Sequence, residues 1–483
     1  MAKDFIVAIE LGSSKITGMA GKKNPDGSIT ILAAASEDST SYIRKGVVYS
    51  IDKTTQGLSN IISKLKNSLQ ADITQVYVGI GGQSIHSVKN MVIKDLPMDA
   101  IVSQNMVNEL MDSNRNMTYP DYEIQDAITE EYKVDLQYQN DPVGIQASRL
   151  EGNFLNILWR RSFYRNLNKS FDNAGIAIAE TYLAPLVMAD NVLTEAEKRA
   201  GCVLVDLGAE TTTVSVYYRD KLRSIAVIPL GGDNITKDLE SLQMEACEAE
   251  RMKLKYSSAI TDVADIDPTA ILPIDSNRSV ESRRFIEVVE ARTLEIIENV
   301  KSFIPSEYID KLLGGIIITG GGSNMTNIEK AFREITGVEK IRIAKFVTLN
   351  INSKDSKPEL RHDGTMNTIL SLIARGDMNC AGNPFGNSLF DNQQFNAAFT
   401  TGTTNGTTTT QPNATTPHET EEERTKREEK ERIAKEEAKR IKQEEETRKA
   451  KEEEERKKNS PIHRFFGSLK QFGRSLVEPE NNE

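Results

Sequence analysis

Cysteine is scarce in this chain and tryptophan scarcer: three and one in 483 residues. Cys202, Cys247 and Cys380 are too widely scattered for a disulfide framework or for the paired spacing of a zinc site, so the composition suits a reducing cytosol. No run of about 18 apolar residues occurs, and residues 1 to 20 lack a basic stretch ahead of a long apolar core, so neither a membrane-spanning helix nor a signal peptide is predicted. Excess positive charge is also missing. A formal net charge of −11 argues against a nucleic-acid partner held by bulk positive charge. Histidine is rare, and His86, His362, His418 and His463 all lie apart from the motifs described below.

What is present is an α/β rhythm. A chain of this length allows roughly two to four domains and a large buried core. Strand-like and helix-like segments alternate to about residue 385. Strands are predicted at 5–10, 15–20, 29–35, 75–80, 202–206, 213–218, 223–228 and 315–319. Helices are predicted near 54–70, 160–174, 181–195, 233–256, 279–303 and 365–376. Residues 84–160, with the strand-like YKVDLQY and FLNILW around a helical segment near 103–113, read as an inserted small α/β subdomain.

Beyond Asn383 the character changes twice. Residues 386–418, rich in Thr, Asn, Gln and Gly, hold too few apolar groups to offset ordering entropy and read as a disordered linker. Residues 419–458 are almost wholly charged. Glu428–Arg432, Glu431–Lys435, Glu436–Arg440, Glu444–Arg448 and Glu452–Arg456 sit at i,i+4 with the acid first, the order that supports a solvated helix, here of roughly 55–60 Å at 1.5 Å per residue. In the last segment, 460–478, Ile462, Phe465, Phe466, Leu469, Phe472, Leu476 and Val477 recur at spacings of three and four, with Arg464, Lys470 and Arg474 on or beside the polar face. Ser460 suits the cap and Pro461 the first turn. Such a helix could dock on its own globular body. Its separation from that body and its flanking cations favour a membrane surface instead, and one weak helix then needs several copies together, hence self-association.

Two stretches carry the chemistry. VAIELGSSKI (7–16) runs an apolar strand into Glu10 and then into Gly12, Ser13, Ser14 and Lys15. CVLVDLGAETTTVSVYY (202–218) repeats the pattern, with Asp206, Gly208, Thr211 and Thr212 standing nearly where Glu10, Gly12, Ser14 and Lys15 stood. Each reads as a strand–turn–strand hairpin, and the repeat about 200 residues apart suggests two related halves. Taken alone, each is an ordinary glycine turn. Facing each other, two such turns could grip a polyphosphate with backbone amides and hydroxyls. The acids beneath them would repel that anion unless a cation or its waters intervened, which implies Mg²⁺ near Glu10 and Asp206, through water. A third element, GGIIITGGGSNMTNI (314–328), runs a buried strand into Gly320, Gly321 and Gly322 and then a helix start, where a nucleotide could approach backbone closely.

Glu10-x-Gly12, Asp206-x-Gly208-x-x-Thr211-Thr212 and Thr319-Gly320-Gly321-Gly322 resemble the two phosphate motifs and the adenosine motif of the actin-like ATPase superfamily. Within it the chain resembles the FtsA family of bacterial cell-division proteins, on four further stretches: YKVDLQYQNDPVGIQASRLEG (132–152), IPLGGDNITKDL (228–239), EACEAERMKLKYSSA (245–259) and FIEVVEARTLEII (285–297). The resemblance covers about residues 4–380 and the last twenty.

The resemblance implies two actin-like, RNase H-like domains: 1–83 with 161–198, and 199–240 with 300–385. It further implies the insert at 84–160 and a helical nucleotide- and partner-binding subdomain at 241–299. ATP would lie between Gly12, Ser13, Ser14 and Lys15 on one side and Gly208, Thr211 and Thr212 on the other, with Gly231, Gly232 and Asn234 approaching it. Glu250 and Lys253 would border ribose and base, unless they form only a helix salt bridge, and Gly320, Gly321, Gly322 and Ser323 would flank the adenosine. Arg283, Arg284 and Arg292 would meet the acidic C-terminal tail of the tubulin-like ring protein FtsZ, or else pair with Glu281, Glu287 or Glu290.

Two departures stand out. Glu10 is often Asp in the superfamily. Glu210 stands where a small residue is expected beside the phosphates, so it is expected to turn to solvent or to accompany slow hydrolysis. The function implied is an ATP-binding homologue of actin that polymerises on the cytoplasmic face of the inner membrane, anchors FtsZ at the septum and recruits later division proteins, with any Mg-dependent ATPase activity slow. The alternatives are an actin-like pilus-assembly scaffold and a sugar or metabolite kinase of the same superfamily.

Overall fold

The computed structural model describes residues 4–384, except 98–99, 263, 265, 268 and 354–357. The predicted linker, charged helix and amphipathic helix, with Ile462, Phe465, Phe466, Leu469, Phe472 and Leu476, lie outside the described residues.

Two sheets repeat one design. In the first lobe Ile6–Leu11 pairs antiparallel with Lys15–Lys23, which pairs with Ile29–Asp38. On its other side Ile6–Leu11 lies parallel to Gln75–Ile80, followed by Ala177–Leu183. In the second lobe Cys202–Leu207 pairs antiparallel with Thr212–Tyr218, which pairs with Lys221–Ile228. Its other side meets Gly315–Thr319 in parallel, then Ile341–Ile343. A three-strand meander continued by two parallel strands thus occurs twice, as the repeated motif suggested. The central strands are buried on both faces, with Val7, Ala8 and Ile9 in one lobe and Val203, Val205 and Ile316 in the other fully enclosed, so they read as continuous apolar runs.

The insert extends the second sheet. Gln137–Gln139, Tyr122–Val134, Arg149–Arg160 and His86–Asp95 form four antiparallel strands that reach Lys221–Ile228 through Ala226 and His86, giving nine strands in all. The helix Gln104–Arg115 covers one face with Val107 and Leu110 against Tyr132, Leu150 and Phe154. The helix Ile51–Leu69 packs on the first sheet because Leu58, Ile61, Ile62, Leu65 and Leu69 share one stripe. A separate apolar cluster of Ile235, Leu239, Met252, Phe285 and Val289 holds together the helices that follow the second hairpin.

Three expectations are corrected. The helix predicted at 181–195 is a strand, Ala177–Leu183, then two helices, Ala184–Val192 and Glu195–Ala200. Thr181 and Tyr182 pair with the neighbouring strand, Pro185 fixes the first helix start, and Thr194 with Glu197 forms a capping box that starts the second. The single helix predicted at 233–256 is divided into Gly232–Glu240 and Ala246–Tyr256, with Gln243 between them at φ +64°. Finally, the last part of the segment 300–385 returns to the first lobe. Ile351–Ser353 pairs with Ile29–Asp38, Asn367–Arg375 adds Ile369, Leu370, Leu372 and Ile373 to the first lobe's core, and Ala381–Pro384 pairs with Ala71–Ile73.

Candidate nucleotide cleft

The two hairpins present the same turn. Gly12 N–H donates to Lys15 O over 3.1 Å, and Gly208 N–H to Thr211 O over 2.9 Å. A Cβ built on either glycine would lie 2.8 Å from that same carbonyl oxygen, so both turns need glycine. This register sets Lys15 against Thr211 and Ser14 against Glu210, one residue away from the pairing read off the sequence. The amides of Ser13, Ser14, Ala209 and Glu210 donate to no backbone group among the described residues, which leaves them available to an anion.

Glu10 and Asp206 occupy equivalent ends of the two central strands: Glu10 lies beside Gly79, and Asp206 beside Thr319. Burial, reinforced by the charge of Asp206 and opposed by Lys15 and a hydrogen bond from Thr368, pushes the Glu10 carboxyl up to about 7. Burial raises Asp206 to about 6. Burial thus raises both acids, and two such carboxyls at matching strand ends could share a cation. Among the described residues no group of three or more His, Cys, Asp or Glu could hold a metal. The donor set therefore suits a hydrated Mg²⁺ shared with phosphate oxygens, and not a cage of protein ligands alone.

The second turn is braced from behind. Gly232 N–H donates to Gly208 O over 3.0 Å and Asp233 N–H to Ala209 O over 2.7 Å, setting the start of Gly232–Glu240 against the turn. Gly231 must be glycine, since a Cβ there would stand 2.5 Å from Gly208 O. Asn234 is occupied in accepting from Gly231 N–H, and Thr212 donates its hydroxyl to Leu230 O. Gly320, at φ +83°, passes so close beneath Asp206 that a Cβ would meet Oδ1 at 2.3 Å. Ser323, fully buried, donates to Gly320 O and closes the short 3₁₀ turn Gly321–Asn324. Gly231, Gly232 and Gly322 line a small apolar cavity of about 30 Å³ together with Leu207, Ile235 and Met325.

The remaining sequence-predicted residues divide. Lys253 Nζ reaches Glu250 at 2.6 Å, Thr236 Oγ1 at 2.8 Å and Gly232 O at 3.0 Å. The salt bridge exists, and it ties this helix to the start of Gly232–Glu240 at the cleft's rim. Arg292 grips Asp238 with two hydrogen bonds, 2.6 and 3.1 Å, and also pairs with Glu295, while Arg283 pairs with Glu287. Arg284 is exposed.

Glu210 departs from expectation. Its side chain is only 19 % exposed and does not turn to solvent. It spans the cleft: Oε2 accepts from the Lys45 N–H of the first lobe at 2.6 Å, and Oε1 pairs with Lys237 at 3.2 Å. Lys45 and Gly46 belong to a two-residue hairpin turn whose Gly46 N–H donates to Ser13 Oγ over 2.8 Å. Sequence reasoning missed this turn and Thr368. The Lys-Gly pair between two short β-branched stretches is a hairpin signal, but its neighbour Glu210 is 165 residues away.

Comparison with known proteins agrees with this layout. The family model described as cell division protein FtsA matches residues 203–361, and that of the SHS2 domain inserted in FTSA matches residues 82–158, the segment built around the four insert strands. Cell division protein FtsA of Porphyromonas gingivalis is 32 % identical over 71 % of this chain and 74 % of its own length. The Neisseria meningitidis protein of the same name is 29 % identical over 71 % and 88 % respectively. Among solved structures, the PilM–PilN type IV pilus biogenesis complex aligns with a TM-score of 0.53 at 14 % identity, covering 77 % of this chain and 98 % of that one, a likeness of fold. The architecture is a pair of actin-like lobes with an inserted α/β subdomain, and the chain belongs to the family of cell division protein FtsA.

Proposed function

We propose that the chain is an ATP-binding actin homologue that polymerises on the cytoplasmic face of the inner membrane, anchors the FtsZ ring there during division and recruits later division proteins. The observation that carries this reading is the convergence of two matched acid-and-glycine turns, one per lobe, with the Gly320 loop directly beneath Asp206. In that cleft the open amides of Ser13, Ser14, Ala209 and Glu210 would hold phosphate, with Lys15 and Thr211 beside them. Glu10 and Asp206 would hold Mg²⁺ through water, and the metal would neutralise the phosphates. Gly231, Gly232, Asn234, Glu250 and Lys253 would border the sugar and base, and Gly320 to Ser323 the adenosine. Family membership supports the division role. FtsZ tail binding falls to the surface of Ser282–Ser302, where Arg283 and Arg284 are more available than Arg292, whose guanidinium is committed to Asp238.

Calorimetry of the full chain with ATP and Mg²⁺ tests the cleft. Saturable uptake at micromolar to millimolar nucleotide, lost in Glu10→Gln or Asp206→Asn without loss of fold, is expected. Absence of uptake at millimolar concentration would sink the reading. An immobilised FtsZ tail peptide should retain the chain, and Arg283→Glu with Arg284→Glu should release it.

A further inference from the structure

The Lys45–Gly46 turn has the features of an anion seat. Both residues have positive φ, +50° and +72°, so two successive amides project from a tight hairpin. The turn is packed firmly: Gln83 N–H donates to Lys45 O over 2.8 Å, and a Cβ on Gly82 would meet Gly46 O at 2.5 Å. One amide is anchored to Ser13 in the first glycine turn, and the other holds a carboxylate that arrives from the second. That carboxylate belongs to Glu210, between Gly208 and Thr212 in the turn proposed to hold phosphate. It therefore places negative charge where a triphosphate would bring its own. Glu210 also has somewhere else to go, because Lys237 already touches its other oxygen and is steadied by Asp233 at 2.7 Å.

We propose that Glu210 stands in for a terminal phosphate: its carboxylate occupies the Lys45 amide and ties the lobes together, and a bound nucleoside triphosphate displaces it onto Lys237 and takes the seat. Glu210 is then a positioning residue that sets the preference between nucleoside di- and triphosphate. A diphosphate leaves the latch in place, whereas a triphosphate exchanges an internal bond between lobes for one made through the ligand. The inference rests on the nucleotide reading of the cleft.

The test uses the full chain, as wild type, Glu210→Ala and Glu210→Gln, with two readouts. The first is the ratio of ATP to ADP affinity in the presence of Mg²⁺, by competition against a fluorescent nucleotide. Removing one like charge beside the terminal phosphate should raise that ratio about tenfold in E210A and by a comparable factor in E210Q, which keeps an acceptor but no charge. The second is hydrogen exchange of the segment 43–48. Without nucleotide it should be faster in E210A than in wild type, and Mg-ATP should restore protection in E210A more than Mg-ADP does. Unchanged exchange in E210A would overturn the latch, and an unchanged affinity ratio in both variants would overturn the competition. If neither wild type nor variants bound either nucleotide, the cleft reading and the phosphate half of this inference would fall together, while exchange would still decide whether Glu210 joins the lobes.

Discussion

Glu10 shows how burying a single carboxyl ties the stability of the fold to pH. Its carboxyl titrates near 7 in the folded chain against an ordinary value of 4.5, so between those limits the folded state binds more protons than the unfolded state. Its contribution to stability is therefore most favourable at low pH and declines as pH rises through the folded value. Asp206 acts in the same sense, from 3.8 to about 6. Glu10→Gln removes the charge without removing the shape. At pH 8 without Mg²⁺ the variant should be more stable than wild type by roughly 2 kcal/mol, and the gap should close toward pH 4.5. Magnesium with ATP should raise the melting temperature of wild type and leave the variant nearly unmoved. A gap of constant size from pH 4.5 to 8 would mean that the Glu10 carboxyl is not desolvated in solution, burial being the main cause of its raised pKa.

At the scale of elements, the junction between the insert and the second lobe includes a buried ion pair. Arg223, on Lys221–Ile228, reaches Glu130 on Tyr122–Val134 at 3.3 Å, and the two side chains are only 10 % and 8 % exposed. Lys221 Nζ donates to Glu130 O, and Lys89 pairs with Glu307 across the same boundary. Backbone contact along this edge comprises the Ala226–His86 pairing and Val227 N–H donating to Ile85 O over 3.1 Å, and side chains add to it. Arg223→Ala should cost about 3 kcal/mol, because Glu130 is left buried without its partner. Adding Glu130→Leu should recover most of that loss. Chemical denaturation reads the energies, and faster hydrogen exchange in 86–95 for the single variant alone would place the defect at the junction; equal stability of the single variant and wild type would refute the assignment.

Elements also divide into those legible in the sequence and those that were not. The twin hairpins were legible because acid, glycine and hydroxyl lie within seven residues and the flanking strands are uninterrupted apolar runs. The Gly320 loop was legible for the same reason. Helix boundaries failed at Pro185 and Gln243, where one local backbone preference outweighed a continuing apolar period. The return of Ile351–Ser353 and Asn367–Arg375 to the first lobe left no local mark, since an apolar helix face fits either core equally well. Glu210 was recognised as out of place, yet its destination depended on how the lobes close. That is a property of the fold and not of any stretch of residues.

For the whole molecule, the separation of a folded body from a sequence-predicted anchor sets how membrane residence should depend on assembly. Ile462, Phe465, Phe466, Leu469, Phe472 and Leu476 offer one short apolar stripe, and Arg464, Lys470 and Arg474 add roughly 1 kcal/mol each near an anionic surface. One such predicted helix would hold weakly and reversibly. The proposed filament would join many of them, and each further anchor would then bind at the high local concentration imposed by its neighbours. Membrane binding should therefore be steeper than linear in protein concentration, should strengthen under conditions that promote self-association, and should weaken as salt is raised from 50 to about 300 mM. Deleting 461–483 should leave the chain in the supernatant after sedimentation with anionic liposomes while its nucleotide affinity is unchanged, because the two glycine turns and the Gly320 loop lie among residues 10–323. Phe465→Glu with Phe472→Glu should match the deletion, since the apolar stripe is lost while the cations remain. Co-sedimentation of the deleted chain at the wild-type level would assign the membrane contact to the folded body and remove the reason for linking anchoring to polymerisation.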